Sequence, residues 1–284
     1  MTSVASTEAV PVATSPGRRR RGPRPADRPR ARLLHLFTWL VLIWMFLPIA
    51  VMAAFGFNDT QGRYNFRWQG FTLKWWQHLF AIPNLTEALV NSFTIALIVT
   101  VVAVVLGTPI GFALGRYRYR GRGLTDLVLF ANIAAPEIGL GAALLSLYIT
   151  IGIPRGYLTI VIAHVMFTIP FTAITVRARM SGLDQSVEEA ARDLGAGPIT
   201  TFRLVTLPLI MPGVVAGGLL AFALSIDDFI ITQFTAGSTL TFPLWVWGAS
   251  RLGVPPQANV MGTIIFVVGV LLALAAGMVL RRRD

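Results

Sequence analysis

The stretch of sequence that decides the fold is residues 88–114, ALVNSFTIALIVTVVAVVLGTPIGFAL, which contains no charged side chain. As an α-helix at about 1.5 Å per residue it would extend roughly 40 Å, which exceeds the ~30 Å hydrocarbon core of a bilayer. Five further apolar segments lie at about 33–57, 124–150, 156–177, 208–231 and 259–280. Continuous apolar runs also lack the alternation of a transmembrane barrel. The sequence therefore predicts an all-α membrane protein with six transmembrane helices.

The composition supports this class and removes several others. Only 13% of the 284 residues are charged and 55% are hydrophobic, whereas soluble domains carry about 25% charged residues. The chain has no cysteine, which excludes disulfides, thiolate metal sites and cysteine nucleophiles. His35, His78 and His164 lie in three separate segments without metal-ligand spacing. We therefore predict neither a metal site nor a bound cofactor.

The basic residues predict the orientation in the membrane. Nineteen of the 24 fall on one side of the predicted spans: eight in residues 1–32, four in 115–123, four in 177–203 and three in 281–283. Five fall on the other side, which the positive-inside rule makes the outer one. Both termini are then cytoplasmic, and the net charge of +11 is mainly an orientation signal rather than a sign of nucleic acid binding.

Three segments follow from this pattern. Residues 1–32, rich in Pro, Ser and Arg, predict a disordered cytoplasmic tail, residues 33–280 a transmembrane domain, and residues 281–284 a short cytoplasmic tail. A cleaved signal peptide is the alternative for the first span. The apolar run at 33–57 is longer than the ~7–15 residues of a signal peptide core, so we favour an uncleaved span.

The cytoplasmic loop 178–207 contains the most informative polar sequence, SVEEAARDLG at residues 186–195. Ser186 and Glu189 have the spacing of a capping box, and Gly195 is a stop signal, so a short helix is predicted between them. Small alanines would let a partner approach closely, and the charged residues would orient it. An ordinary connector helix is the alternative. The charged residues are Glu188, Glu189, Arg192 and Asp193.

This loop resembles the EAA motif of ABC importer permeases. The matching positions are Glu189, Ala190, Ala191, Gly195, Leu207 and Pro208, and Val205 stands where the motif has Ile. Residues 40–280 also resemble the spermidine/putrescine-type permeases. The segments that carry this second resemblance are Asn58, 68–73, Trp75, Leu89, 91–92, 136–138, 225–229, 234–237 and 243–244.

The resemblance implies a type I ABC importer permease in the bacterial plasma (inner) membrane. It implies that this chain forms half of the path, beside a second related permease, two copies of an ATPase that holds ATP-Mg, and an extracytoplasmic solute-binding protein. The loop helix would be the coupling helix that docks on the ATPase. The implied coupling residues are Ser186, Glu188, Glu189, Ala190, Ala191, Asp193, Gly195, Leu207 and Pro208.

Acidic residues within the spans mark a candidate substrate path, because charges in the membrane are costly and usually face a cavity or a partner. Glu137 is expected near the middle of the third span, and Asp227 and Asp228 near the outer end of the fifth. Adjacent residues point about 100° apart on a helix, so at most one of the two aspartates should face the path. Helix capping is the alternative role for this pair. The aromatic candidates are Phe229, Tyr148 and Trp245.

Prolines and glycines in the spans predict local shape. The first five spans each contain a proline, at positions 48, 109, 136, 170 and 212, and each proline can kink its helix. Gly107, Gly111 and Gly115 have GxxxG spacing, as do Gly213 and Gly217. Such stripes let two helix backbones approach closely, either within the chain or in a dimer.

The resemblance implies ATP-driven import of a polyamine or a similar organic cation, and we predict no enzymatic activity in this chain. A phosphate-binding loop needs GxxxxGK followed by Ser or Thr, and the only lysine, Lys74, follows Leu73. Three alternatives are open: an ion-gradient-driven secondary transporter that uses Glu137, an ABC permease for another small solute, and a membrane scaffold whose Arg-rich tail binds anionic lipid.

Overall fold

The computed structural model describes residues 28–62, 64–82 and 84–281. Most of the predicted tail 1–32, and most of 281–284, lies outside these residues. The described residues fall into two compact units, one that ends at Ala50 and one that begins at Val51. In the described residues the secondary structure is helical apart from one isolated bridge between Asn58 and Phe71. The α-helices are α1 Arg28–Phe55, α2 Lys74–Gln77, α3 Leu85–Arg116, α4 Arg122–Ala134, α5 Glu137–Thr150, α6 Tyr157–Met180, α7 Ser186–Asp193, α8 Pro198–Thr201, α9 Leu207–Asp227, α10 Ile230–Thr235, α11 Phe242–Leu252 and α12 Pro256–Arg281.

The long apolar helices confirm the predicted fold class. Five of the described helices are long and apolar enough to cross a membrane, and the bent pair α4 and α5 gives a sixth span if it is counted as one. A 3-10 turn at Leu79–Ala81 follows α2, and a π-helical turn at Phe202–Thr206 joins α8 to α9.

The third predicted span consists of two helices rather than one helix kinked at its proline. It breaks between α4 and α5 with a bend of 105°. Ala135 has ψ 136° and is extended, as expected for a residue that precedes proline. Glu137 is therefore the exposed first residue of α5 rather than a mid-helix residue. The four other prolines lie inside continuous helices, so only Pro136 marks a break.

The fifth predicted span also ends early. Helix α9 stops at Asp227, Asp228 is extended, and the short helix α10 begins at Ile230. The span predicted at 208–231 therefore contains two helices. At this junction the Asp228 carboxylate accepts the backbone N–H groups of Ile231 and Thr232 at the start of α10.

Helix α6 is the centre of the packed core. It contributes buried side chains to four separate apolar clusters, through which it contacts α3, α4, α5, α9 and α10. One cluster joins α6 to α9 through Val176, Met180, Ile210 and Val214, all of them buried. Because α3, α6 and α9 also pack on one another directly, these three helices form the packed frame to which the 178–207 loop is attached.

The glycine stripes allow this close packing within the chain. A Cβ on Gly111 would lie 2.3 Å from the carbonyl oxygen of Ala173, and a Cβ on Gly115 would lie 2.6 Å from the Cβ of Met180. On α9, Gly213 is similarly close to Arg179. All these neighbours are on α6, so the stripes serve helix contacts inside this chain.

We expect Gly111→Ala to destabilise the permease strongly. The new methyl group would collide with a backbone carbonyl oxygen, which cannot rotate away, and overpacking of this kind costs about 1–3 kcal/mol or more. Thermal unfolding of the purified permease in detergent should show a melting temperature lower by several degrees. Gly269→Ala on α12 is the matched control because no atom lies within 4 Å of its added Cβ. Equal melting temperatures for the two variants would contradict the packing.

Candidate coupling and translocation site

Helix α7 begins with a different cap from the one predicted. Its first residue is Ser186, no side-chain cap is made at its N-cap Gln185, and Glu189 is exposed, so the capping box prediction is wrong. The side chain that accepts a hydrogen bond at the start of α7 is that of Asp184, whose Oδ1 accepts the Ser186 backbone N–H at 3.0 Å. This backbone hydrogen bond, with a second one from the Ser186 side chain, holds the pKa of the Asp184 carboxyl below its usual range. The ionised form of Asp184 therefore favours this start of α7.

The end of α7 matches the predicted stop signal. Gly195 has φ +86°, in the left-handed region. The Gly195 N–H donates to the carbonyl of Arg192 at 2.9 Å, and the Ala196 N–H donates to the carbonyl of Ala191 at 3.1 Å. These two bonds form a Schellman motif, which satisfies the last carbonyls of a helix and needs a residue that tolerates positive φ. The geometry explains why glycine occupies position 195.

Glu188 points inward, toward the membrane helices. Its Oε2 lies 2.9 Å from a guanidinium nitrogen of Arg116, the last residue of α3, and the two side chains are only 14% and 10% exposed. Its Oε1 accepts the hydroxyl of Thr206 at 3.0 Å. The sequence had grouped Glu188 with the residues that orient a partner, but both of its carboxylate oxygens already have partners within the chain.

The opposite side of α7 is open. Glu189, Ala190 and Asp193 are exposed, and Leu194 just beyond the helix is 90% exposed. Ala190 and Leu194 are four residues apart and so share one face of the helix. This side combines small, apolar and acidic groups, as a docking surface for another protein would require.

A cleft of about 660 Å³ lies between α7, the end of α3, α8 and the π-helical turn that precedes α9. Its lining includes the Arg116–Glu188 pair, Glu189 and Ile199, the last of which is 82% exposed. The remaining motif residues have structural positions here: Leu207 begins α9 and packs on the α6–α9 cluster, and Pro208 is in the first turn of α9.

The two adjacent aspartates have different surroundings. Asp228 is buried, and its Oδ2 accepts the Thr232 backbone N–H at 2.7 Å and lies 3.2 Å from Nε2 of His164. The other ring nitrogen of His164 is 2.8 Å from the hydroxyl of Ser225. Asp228 therefore has the capping role that we weighed against a path role. Asp227 is exposed at the end of α9.

The three aromatic residues predicted to line the path differ in how deeply they are buried. Tyr148 is 3% exposed, lies in the core cluster of α5, α6 and α10, and donates its hydroxyl to the carbonyl of Thr159, so its assignment to an open path is corrected. Phe229 is half-buried with its ring 5.1 Å from that of Trp247, over which the guanidinium of Arg251 lies at 5.0 Å. Trp245 is half-buried on α11.

Sequence patterns did not predict several residues of the site. Arg116, Thr206 and His164 contact residues that are distant in the chain. Local spacing carries no signal for such contacts, because only packing of α3, α6 and α9 brings the partners together.

Comparison with known proteins identifies the family. Residues 107–283 match the family described as binding-protein-dependent transport system inner membrane component. The chain is 34% identical over 253 residues to the spermidine/putrescine transport system permease protein PotC of Haemophilus influenzae, covering 89% of this chain and 98% of that protein. It is 36% identical over 230 residues to the putrescine transport system permease protein PotI of Escherichia coli, covering 78% of this chain and 81% of that protein.

Solved structures share the fold at low identity. A bacterial ABC transporter involved in import of the acidic polysaccharide alginate aligns with a TM-score of 0.64 and 18% identity over 92% of this chain and 98% of that chain. The MetNI methionine ABC transporter aligns with a TM-score of 0.60 and 16% identity, over 70% of this chain and 96% of that chain.

These findings decide against the ion-gradient-driven alternative and against an enzyme, since the relatives are permease proteins. The chain belongs to the family of inner membrane components of binding-protein-dependent transport systems, and it is a multi-pass permease subunit of an ABC importer in the bacterial inner membrane.

Proposed function

We propose that this permease forms half of the translocation path for a polyamine such as spermidine or putrescine. The observation that carries the proposal is the 34% identity to PotC over 98% of the length of that protein. The chemistry is compatible, because polyamines are polycations and the exposed side chain that ends α9 is the carboxylate of Asp227. A neutral or anionic solute would gain nothing from this charge.

The open side of α7 would be the docking surface for an ATPase subunit. Its exposed residues Glu189, Ala190 and Asp193 lie at positions that match the EAA motif or flank it. We propose that two ATPase copies hold ATP-Mg, that a second related permease completes the path, and that an extracytoplasmic binding protein delivers the solute. This chain would supply the docking helix and the path wall, and would bind no cofactor itself.

We further propose that both termini and α7 face the cytoplasm, on the basis of 19 basic residues on one side against five on the other. The natural lack of cysteine makes this directly measurable. A single cysteine at Leu194 should react with a membrane-impermeant maleimide only in inside-out vesicles. A cysteine at Phe66, which is 75% exposed in the loop after α1, should react only from the outside. The reverse pattern would overturn the orientation.

The substrate assignment is tested on the assembled importer. The permease should co-purify with an ATPase and a partner permease, and the associated binding protein should be titrated with spermidine, putrescine, a neutral sugar and a small anion. Saturable binding of the polyamines alone supports the proposal. Saturable binding of the sugar or the anion, without polyamine binding, refutes it and indicates a permease for another solute.

A further inference from the structure

Two routes connect α7 to the membrane helices, a glycine-containing stretch of backbone and a set of side-chain contacts. The covalent route from α7 to α9 passes through residues 194–206, which include Gly195 and Gly197 and a π-helical turn. Glycines loosen a backbone because they lack a Cβ. The second route is the set of side-chain contacts from Glu188 to Arg116 and Thr206.

We propose that Arg116, Glu188 and Thr206 form a clamp that transmits the movement of α7 to α3 and α9. The clamp joins three elements at one point: the first turn of α7, the last residue of α3 and the residue that precedes α9. Since α3 and α9 both pack on α6, a displacement of α7 reaches the whole helical frame. The proposal rests on the proposed docking of an ATPase on α7.

The geometry favours a mechanical role for the ion pair. Exposed ion pairs are weak because water screens them and their long side chains lose entropy. This pair is largely shielded, and its carboxylate has a second, hydroxyl partner, which fixes the direction of both oxygens. If one member of the pair is removed, the other charge stays largely shielded from water and has no opposite charge beside it, which is costly. Arg116 also lies at the C-terminal end of α3, where a cation is favoured by the helix dipole.

The clamp assigns different tasks to two adjacent glutamates. Neighbouring residues on a helix point about 100° apart, so Glu188 faces Arg116 while Glu189 faces outward. Glu188 is then a positioning residue that acts through α3 and α9, and Glu189 is a docking residue. Variants of the two positions should therefore fail in different ways.

The experiment compares ATP hydrolysis with polyamine uptake in proteoliposomes that contain the complete importer. Glu188→Gln and Arg116→Gln should lower the number of polyamines imported per ATP by at least about fivefold, while the ATPase subunits still co-purify and hydrolyse ATP. That size is what loss of one charge-assisted contact, about 1 kcal/mol or more, implies. Thr206→Val, which keeps the side-chain size, should lower the ratio less. Arg118→Gln is the control, because Arg118 is exposed and lies two residues after Arg116.

The double variant Arg116→Glu with Glu188→Arg exchanges the two charges and should restore at least half of the wild-type number of polyamines imported per ATP. A local folding defect at either position would not be rescued in this way. A wild-type ratio in Glu188→Gln, or in Thr206→Val, would overturn the clamp as described. Loss of the ATPase from the Glu188→Gln complex, as we expect for Glu189→Arg, would show that Glu188 is a docking residue instead. A wild-type importer without ATP-driven uptake would refute the proposed function, whereas normal wild-type uptake leaves the clamp to be judged on its variants alone.

Discussion

Gly195→Pro should abolish transport while the permease still inserts in the membrane. Position 195 has φ +86° and its N–H donates to the carbonyl of Arg192. Proline has neither this φ nor the N–H, and such a replacement costs about 3 kcal/mol or more. This free-energy cost shifts the equilibrium between the formed and the unwound helix end by about a hundredfold toward the unwound end. The end of α7 would unwind, and the docking surface with it.

A graded series separates this cause from general damage. Gly195→Ala keeps the N–H but places a side chain at positive φ, which costs roughly 1–2 kcal/mol, so we expect partial transport. Gly197→Ala should be neutral, because Gly197 has φ −67° and no atom lies within 4 Å of its added Cβ. Uptake by proteoliposomes measures all three. Full uptake by Gly195→Pro would contradict the role of α7.

Asp227→Asn should raise the polyamine concentration needed for half-maximal uptake by about tenfold or more. Asp227 is the exposed carboxylate at the end of α9, and a charge-assisted contact to an ammonium group contributes about 1.5–3 kcal/mol. The substitution keeps the shape of the side chain and removes only its charge. Concentration-dependent uptake by the reconstituted importer measures the effect.

Two comparisons make this result specific. Glu87→Gln removes another exposed carboxylate, in the first turn of α3, and should leave uptake unchanged. Asp228→Ala should instead lower the melting temperature, because Asp228 is buried and its carboxylate partners are His164 and Thr232. If Asp227→Asn imports polyamine with unaltered concentration dependence, Asp227 has no contact with the substrate.

The sequence predicted what depends on a single helix and missed what depends on contacts between helices. The apolar run that forms α3 was readable because its length and lack of charge are local properties. The end of α7 at Gly195 was readable for the same reason. By contrast, Pro136 and Pro109 look alike in the sequence, yet only the former lies at a break. Which proline breaks a helix depends on the packing of the two halves.

The polar site shows the same division. The aspartate pair was visible in the sequence, but its division of roles was not, because the burial of Asp228 depends on His164, 64 residues away. The inward orientation of Glu188 likewise depends on Arg116 at the end of another helix. Sequence spacing located α7 and both acidic positions, and the tertiary contacts determine which carboxylates are free to act.

Polyamine import by this permease is best measured as uptake by proteoliposomes that contain the permease, its partner permease, the ATPase and the binding protein. We expect uptake that requires ATP on the ATPase side of the membrane, requires the binding protein, and is unchanged when a protonophore removes the proton gradient. Uptake that persists without ATP and stops when the proton gradient collapses would contradict this expectation.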